Sequence, residues 1–146
     1  TGGLVRPSLA ADPRANPILG FDNYESGTTS VLRWRGDTWE SFGPNIPGTS
    51  GPSIGIDADR RIYLCQSGKY ATPGATLNVS RSIGKVWRQI GGDIAIEARY
   101  VTGPRHLVDK LRWIAPVSVF VGAKSWAVFA VQWDEDQKSW KGLGDG

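Results

Sequence analysis

The sequence predicts an all-β protein built from three repeated antiparallel units, and three observations lead to this fold class. A hairpin-like pattern occurs three times: an alternating run, a short polar turn, a Trp, two residues, an apolar residue and a Gly. The Trp residues are Trp39, Trp87 and Trp140, and their spacings of 48 and 53 residues are typical of a repeat array. The 146 residues include 19 Gly and 9 Pro, as many turns require, and no segment has a sustained helical period.

The first unit is predicted to hold four strands. Residues 7–12 form a strand that ends in a turn, and residues 17–22 form its antiparallel partner. The hairpin over residues 31–43 supplies the third and fourth strands, and Trp39 opens the last one. Because each strand is followed in the chain by its neighbour, we expect an up-and-down sheet.

The second and third units repeat this order. Residues 52–57 align without a gap with residues 7–12, and a hairpin over residues 77–91 closes the second unit. The third unit is predicted to contain a strand over 104–109, a longer turn over 110–115, a strand over 116–121 and a hairpin over 128–144. The predicted units span approximately residues 4–44, 51–93 and 94–146.

Three self-contained four-stranded units fit a β-propeller better than a sandwich or a closed barrel. The first unit reads Pro-Ser-Leu-Ala-Ala-Asp at 7–12, Asn-Pro-Ile-Leu at 16–19 and Arg-Trp-Arg-Gly-Asp-Thr-Trp-Glu-Ser-Phe-Gly at 33–43. These motifs resemble blades of Kelch-like and sialidase-like propellers. Residues 80–87 resemble the sialidase Asp-box (Ser-x-Asp-x-Gly-x-Thr-Trp), with Ser82 at its Asp position. The resemblance implies a propeller fold and leaves the activity open.

Three blades are fewer than the roughly four to eight of natural propellers, and they would leave two sheet edges open. We therefore expect the rest of a closed ring to come from further blades of a longer chain or from another copy, two copies giving six blades. The chain begins at Thr1 and contains no Met, which favours a processed or trimmed piece of a longer product. The expected partners are other protein subunits or further blades, in a homo-oligomer or a larger chain.

Composition narrows the classes of function. The net charge is +3, but 17 basic and 14 acidic residues are interleaved, which argues against a nucleic-acid surface. No apolar run is long enough to insert into a membrane. The single Cys65 lies in an apolar run and is expected to be a buried structural thiol. An extracellular location is expected by analogy with other Trp-rich blades.

Candidate binding residues are the tryptophans that do not recur in every unit. Trp39, Trp87 and Trp140 share one repeat position and are expected to pack in the core or between blades. Exposed aromatic rings stack on sugar rings and anchor interfaces. The candidates for such ligand binding are Trp34, Trp113, Trp126 and Trp133.

Two further motifs have a structural and a functional interpretation. Asn78-Val79-Ser80 matches the N-glycosylation pattern, so Asn78 is a candidate acceptor, although it lies in a predicted strand. Asp12, Asp57 and Asp109 each end a first strand. A ring of carboxylates could bind a cation, but we favour side chains that cap turns by accepting backbone N–H bonds. No metal site or cofactor is expected.

The sequence does not predict a catalytic set. A sialidase would present an arginine cluster, a Tyr–Glu pair and an acid. Arginines are present (Arg33, Arg81, Arg99), but no matching sialidase motif assigns such a Tyr–Glu pair, although Tyr24 and Glu25 are adjacent in the chain. The single His106 makes a multi-His metal site impossible and a Ser/His/Asp triad a poor hypothesis. We therefore expect no enzymatic activity.

The main hypothesis is a non-catalytic structural or protein-interaction propeller module within a larger assembly. The alternative is a lectin-like carbohydrate-binding module, which the surplus Trp residues and polar loops support, with glycans as partners. A second alternative is a fragment of a sialidase-like glycoside hydrolase.

Overall fold

The computed structural model describes an all-β chain. Its backbone is described at residues 5–23, 25–47, 50–57, 59–67, 75–96, 100–102, 107–109, 112–121 and 125–143, with side chains at 7–23, 25–47, 51–57, 59–66, 76–94 and 131–142. All regular elements among these residues are β-strands, and every strand pairing is antiparallel. No helix in the described part is long and apolar enough to cross a membrane.

The first sheet has four strand positions, as the sequence predicts. Its strands are β1 (Val5–Ala11), β2 (Pro17–Asn23), β3 (Thr28–Trp34), β4 (Trp39–Ser41) and β5 (Ile46–Pro47). The first four are hydrogen-bonded in chain order. The short β5 pairs with the beginning of β3, whereas β4 pairs with its end, so the fourth position is divided into two pieces. In β2 the buried positions alternate with partly exposed ones, the period of a strand with two different faces.

The second sheet repeats this topology. Its strands are β6 (Ser50–Ile56), β7 (Ile62–Ser67), β8 (Ala75–Ile83), β9 (Val86–Gln89) and β10 (Ile94–Ile96). Strands β6, β7 and β8 are neighbours, and β9 and β10 pair with opposite ends of β8. The repeat in the sequence is therefore a repeat of strand pairing, with a divided fourth position in both sheets.

The third sheet differs at its beginning. Its strands are β11 (Tyr100–Thr102), β12 (Leu107–Asp109), β13 (Arg112–Val121), β14 (Ser125–Asp134) and β15 (Ser139–Leu143). Here the first position is divided, because β11 and β12 both pair with β13. The predicted turn over residues 110–115 was wrong from Arg112 onward. Pro116 lacks an N–H and was expected to begin the strand, but residues 112–114 already pair with β12.

The first and second sheets pack through one apolar cluster, which we call the first seam. It contains Ile18 and Val31 of the first sheet and Ile54, Ile62 and Leu64 of the second. Within this cluster the second sheet contacts the face of the first that carries Gly20. A Cβ added at Gly20 would lie 2.6 Å from Ile54 Cδ1, so only a Gly permits this approach.

The second and third sheets pack through a second cluster, the second seam. Its buried residues are Tyr63, Cys65, Leu77, Val79, Ile90 and Trp133. Successive side chains of β7 thus enter opposite seams: Ile62 and Leu64 face the first, while Tyr63 and Cys65 face the second. Cys65 is fully buried, and burial raises its pKa to about 12, which confirms the expected structural thiol.

The recurring Asp residues cap turns where their side chains are described. Asp12 Oδ1 accepts backbone N–H bonds from Arg14 and Asn16, both at 2.9 Å. Asp57 Oδ1 accepts one from Arg61 at 2.8 Å. The capping interpretation is confirmed for these two residues, whereas the Asp109 side chain lies outside the described ones.

Candidate functional site

Two of the recurring tryptophans, Trp87 and Trp140, lie at the seams and contact the preceding sheet. Trp87 packs on the first-seam cluster, where its ring meets Phe42 edge-on at 5.8 Å between centroids. Trp140 packs on the second-seam cluster and donates its indole N–H to Ile90 O at 3.2 Å. This confirms inter-blade packing for both residues. Trp39 is 39% exposed, and no described sheet packs against it.

A glycine receives the Trp ring at each seam. In sequence, Phe42–Gly43 and Ile90–Gly91 both follow the Trp of their own sheet at the same distance. A Cβ on Gly43 would lie 3.0 Å from Trp87 Nε1, and one on Gly91 would lie 2.9 Å from Trp140 Nε1. Both glycines also have positive φ, +81° and +65°, so two separate constraints select Gly there.

At the first seam an arginine lies near the same Phe42 ring that Trp87 meets. Arg33, near the end of β3, donates from Nη2 to Asp12 Oδ2 at 2.6 Å. Its Cζ lies 6.0 Å from the centroid of the Phe42 ring, whose edge-on neighbour is Trp87. A cation and two aromatic rings from adjacent sheets therefore meet at one point of the seam.

Two polar atoms at this point have no described partner. Arg33 Nε and Trp87 Nε1 are both buried, and neither makes a hydrogen bond within the described residues. A buried donor without an acceptor costs about 1–3 kcal/mol. Both atoms are N–H donors, so a ligand that satisfies their hydrogen bonding must offer an acceptor such as an oxygen atom.

The second seam has an arginine at the equivalent position. Arg81 opposes Arg88 in the β8–β9 pair as Arg33 opposes Glu40 in the β3–β4 pair. Arg81 Nη1 lies 3.6 Å from Glu135 Oε1 of the third sheet. Each seam thus presents an arginine, but the carboxylate partner comes from the same sheet at the first seam and from the next sheet at the second.

The Glu135 carboxyl is held in its ionised form. A hydrogen bond from Lys138 Nζ at 2.7 Å, aided by the Trp133 indole and the charge of Arg81, lowers the pKa of this group against the effect of burial. The pKa values of Asp12 and Asp134 are also below their usual range. The carboxyl groups of Asp12, Asp134 and Glu135 are therefore hydrogen-bond acceptors at neutral pH.

The predicted ligand-binding tryptophans do not form one group. Trp34 is half-buried and meets Trp39 edge-on at 5.3 Å. Trp133 is 7% exposed and belongs to the second seam, so its ring offers little surface to a ligand. Trp113 lies in β13 and Trp126 in β14, with side chains outside the described ones. Ligand binding by these four residues stays a prediction.

Among the other sequence-derived candidates, Asn78 and Tyr63 have described side chains. Asn78 is in β8, as predicted, and with its amide nitrogen turned toward Asp93 it donates to Oδ1 at 2.8 Å; its glycosylation stays a prediction. Tyr63 OH donates to Asp57 Oδ2 at 2.7 Å. Arg99 and His106 fall outside the described residues. No group of three metal-ligating side chains occurs in the described ranges.

Sequence reasoning missed the combination of Arg33, Phe42 and Trp87. A signal was available, because Arg33 and Arg81 share one repeat position, 48 residues apart, as Trp39 and Trp87 do. What the sequence could not show is that the Trp of one sheet lies beside the Arg of the preceding one. That neighbourhood is created by the packing of the sheets.

This architecture, with antiparallel sheets stacked through repeated seams, is that of β-propeller blades, and solved structures agree. An α-L-arabinofuranosidase from Fusarium graminearum with an iminosugar inhibitor matches with a TM-score of 0.73 and 12% identity, over 97% of this chain and 48% of that one. Its complex with arabinobiose matches with a TM-score of 0.69 and 10% identity, over 88% and 45%. The chain therefore spans about half the length of that enzyme.

A fucose lectin is also similar. The lectin from Kordia zhangzhouensis, solved with methyl-fucoside, matches with a TM-score of 0.59 and 14% identity, over 95% of this chain and 98% of the lectin. No protein-family model matches the chain, and no curated protein matches its sequence. At these identities the likeness shows the fold, which is the propeller type that the sequence motifs imply.

Proposed function

We propose that the protein is a non-catalytic, lectin-like module that binds carbohydrate at the first seam. The observation that carries this proposal is that Arg33, Phe42 and Trp87 are partly exposed, while Arg33 Nε and Trp87 Nε1 have no hydrogen-bond partner among the described residues. The similar structures were solved with a fucoside, an arabinose disaccharide and an iminosugar. The comparisons thus favour the carbohydrate-binding alternative over a purely structural module.

The chemistry of the seam suits a neutral sugar. A sugar hydroxyl oxygen accepts hydrogen bonds, and Arg and Trp supply donors for it. The C–H groups of a sugar ring pack on aromatic surface, which Phe42 and Trp87 provide. The positive charge of Arg33 is already matched by Asp12, so the site has no excess charge that would require an anionic ligand.

Three described carboxyl groups suit hydrogen-bond acceptance rather than proton donation. Glycosidases hold one carboxyl group protonated as a general acid by raising its pKa. The pKa values of Asp12, Asp134 and Glu135 are all lowered. These groups are ionised at neutral pH and suit hydrogen-bond acceptance.

Calorimetric titration with methyl-fucoside, L-arabinose and arabinobiose tests the proposal. Arg33→Lys keeps the charge opposite Asp12 but removes Nε, and Trp87→Phe removes the indole N–H. One lost hydrogen bond is worth about a factor of 10 in affinity, so we expect each variant to bind the preferred sugar about tenfold more weakly. Arg35→Lys is the matched control, because Arg35 is exposed and pairs with Glu40, and its affinity should equal that of the wild type.

Two results would contradict the proposal. One is the absence of binding to these sugars and to a broad glycan array by folded protein. The other is unchanged affinity in both Arg33→Lys and Trp87→Phe, which would move the site away from the first seam. Release of nitrophenol from an aryl arabinofuranoside or an aryl sialoside by the wild type would instead favour the hydrolase alternative.

A further inference from the structure

The first sheet has an apolar face against which no described sheet packs. Strand pairing aligns Leu9 with Leu19 and Leu19 with Leu32, so these three side chains form a row across β1, β2 and β3. Trp39 and Trp34 lie beyond the same row, near the hairpin turn. Leu9 is 69% exposed. We call this surface the leading face.

The second sheet shows what such a face does. The residues equivalent to Leu9 and Leu19 are Ile54 and Leu64, which are paired in the same way. Ile54 is 7% exposed and Leu64 is fully buried, because both pack on the first sheet at the first seam. The same positions of the repeat are thus an interface in the second sheet and exposed in the first.

The recurring tryptophans also lie in an interface in the later sheets and are exposed in the first. Trp87 and Trp140 occupy equivalent positions and pack against Gly43 and Gly91 of the preceding sheets. Trp39 holds this position in the leading face and is 39% exposed. At both seams the Trp packs where an apolar residue and a glycine follow the end of a strand. A partner for the leading face must therefore offer the same apolar residue and glycine to Trp39.

The third copy of the repeat contains such a partner. In the sequence, Leu143 and Gly144 follow Trp140 at the distance at which Phe42 and Gly43 follow Trp39. Leu143 is the last residue of β15 and pairs with Ala130. The sequence at the end of β15 therefore repeats the pattern that receives Trp87 and Trp140 at the two seams.

We propose that the leading face binds the third sheet of a second copy of this chain, head to tail. The contact continues the two internal seams, with Trp39 against the end of β15 of the second copy and the Leu9–Leu19–Leu32 row against its third sheet. It does not depend on sugar binding. Since each copy has one leading face and one complementary end, a closed assembly satisfies both in every copy.

Light scattering coupled to size-exclusion chromatography tests the proposal on the full chain. We expect the wild type to elute with the mass of two copies, or of a larger closed multiple. Leu9→Glu places a charge in the centre of the leading face, where the exposed side chain is not needed for the fold of one copy. This variant should have the mass of one copy and the circular dichroism of the wild type.

Ile83→Glu is the matched control. Ile83 is an exposed apolar residue of the second-sheet hairpin and lies outside the leading face, so its variant should keep the wild-type mass. A wild type with the mass of one copy would overturn the proposal and indicate that another segment or another protein covers the leading face. Retention of the wild-type mass by Leu9→Glu, or its loss in Ile83→Glu, would also overturn it.

Discussion

At the scale of single residues, the pair Asp12–Arg33 connects turn geometry with the candidate site. The Asp12 carboxylate caps the β1–β2 turn and also accepts from Arg33 Nη2. Burial alone would raise the pKa of Asp12, but hydrogen bonds from Arg33 and Asn16 outweigh it and hold this pKa well below its usual range. One carboxylate therefore fixes both the turn and the orientation of the arginine.

This pair predicts a pH-dependent contribution to stability. Because the pKa of Asp12 is lower in the folded chain, its contribution is complete above the unfolded value of about 3.9 and is lost as the pH falls below it. We expect Asp12→Asn to reduce the free energy of unfolding by about 2 kcal/mol at pH 7. Urea titrations from pH 7 to pH 2 should show the difference from wild type shrinking below about pH 4. A difference independent of pH would contradict this assignment.

The burial of Cys65 predicts that its thiol reacts only when the protein unfolds. The thiol is fully buried and its pKa is about 12, so at pH 8 it is protonated and inaccessible. We expect no reaction with Ellman's reagent in native protein and one equivalent of reaction in urea. Rapid labelling of native protein would mean that the second seam opens, since Cys65 lies within its cluster.

At the scale of elements, the divided fourth strand is the feature that shapes each seam. Backbone bonds continue up to the break, from Phe42 N to Val31 O at 2.7 Å and from Ile90 N to Val79 O at 2.8 Å. The following Gly turns the chain at positive φ and leaves room for the next Trp. Strand interruption and Trp packing are thus two consequences of one glycine.

Glycine substitutions separate the cost of backbone strain at positive φ from the cost of placing a Cβ where there is no space. Gly91→Ala would place a Cβ 2.6 Å from Trp133 Cζ3 at a φ of +65°, whereas Gly84→Ala has a φ of +61° and open space. Gly92→Ala is the control, with open space and no left-handed φ. We expect losses of unfolding free energy of about 3 kcal/mol or more, about 1 kcal/mol and under about 0.5 kcal/mol respectively, by urea denaturation. Equal losses at Gly91 and Gly84 would show that backbone strain alone determines the cost.

The sequence predicts the elements better than their contacts. Strand positions of the first two sheets follow from alternation and from the recurring Trp, because these are local signals. The beginning of the strand at Arg112 was missed because Pro116 was expected to be its first residue. Residues 112–114 form a strand because they pair with β12. The Arg33–Phe42–Trp87 group was missed for another reason: Trp87 meets the other two only after sheets pack, and no local pattern encodes that distance.

At the scale of the whole molecule, β7 connects the two seams. Adjacent side chains of one strand, such as Leu64 and Cys65, are buried in different clusters. A shift of β7 by one residue would exchange the faces and empty both clusters at once. We therefore expect the seams to unfold together, as one cooperative unit.

The head-to-tail contact predicts that stability depends on protein concentration. Association stabilises the folded state by mass action, so the thermal midpoint of the wild type should rise with concentration. The midpoint of Leu9→Glu should stay constant over the same range. Scanning calorimetry on dilution series of both proteins measures this, and a constant wild-type midpoint would contradict association through the leading face.

The contact between the Trp of one sheet and the glycine of the preceding sheet has an evolutionary consequence. An in-frame duplication or deletion of one blade-length stretch of the gene would leave each Trp between two sheets facing a glycine, because the Trp–Gly contact is the same at both seams. A point mutation at Gly43 or Gly91 has no such compensation, since both φ and space exclude other residues there. The number of blades is therefore easier for evolution to change than any single joint between them.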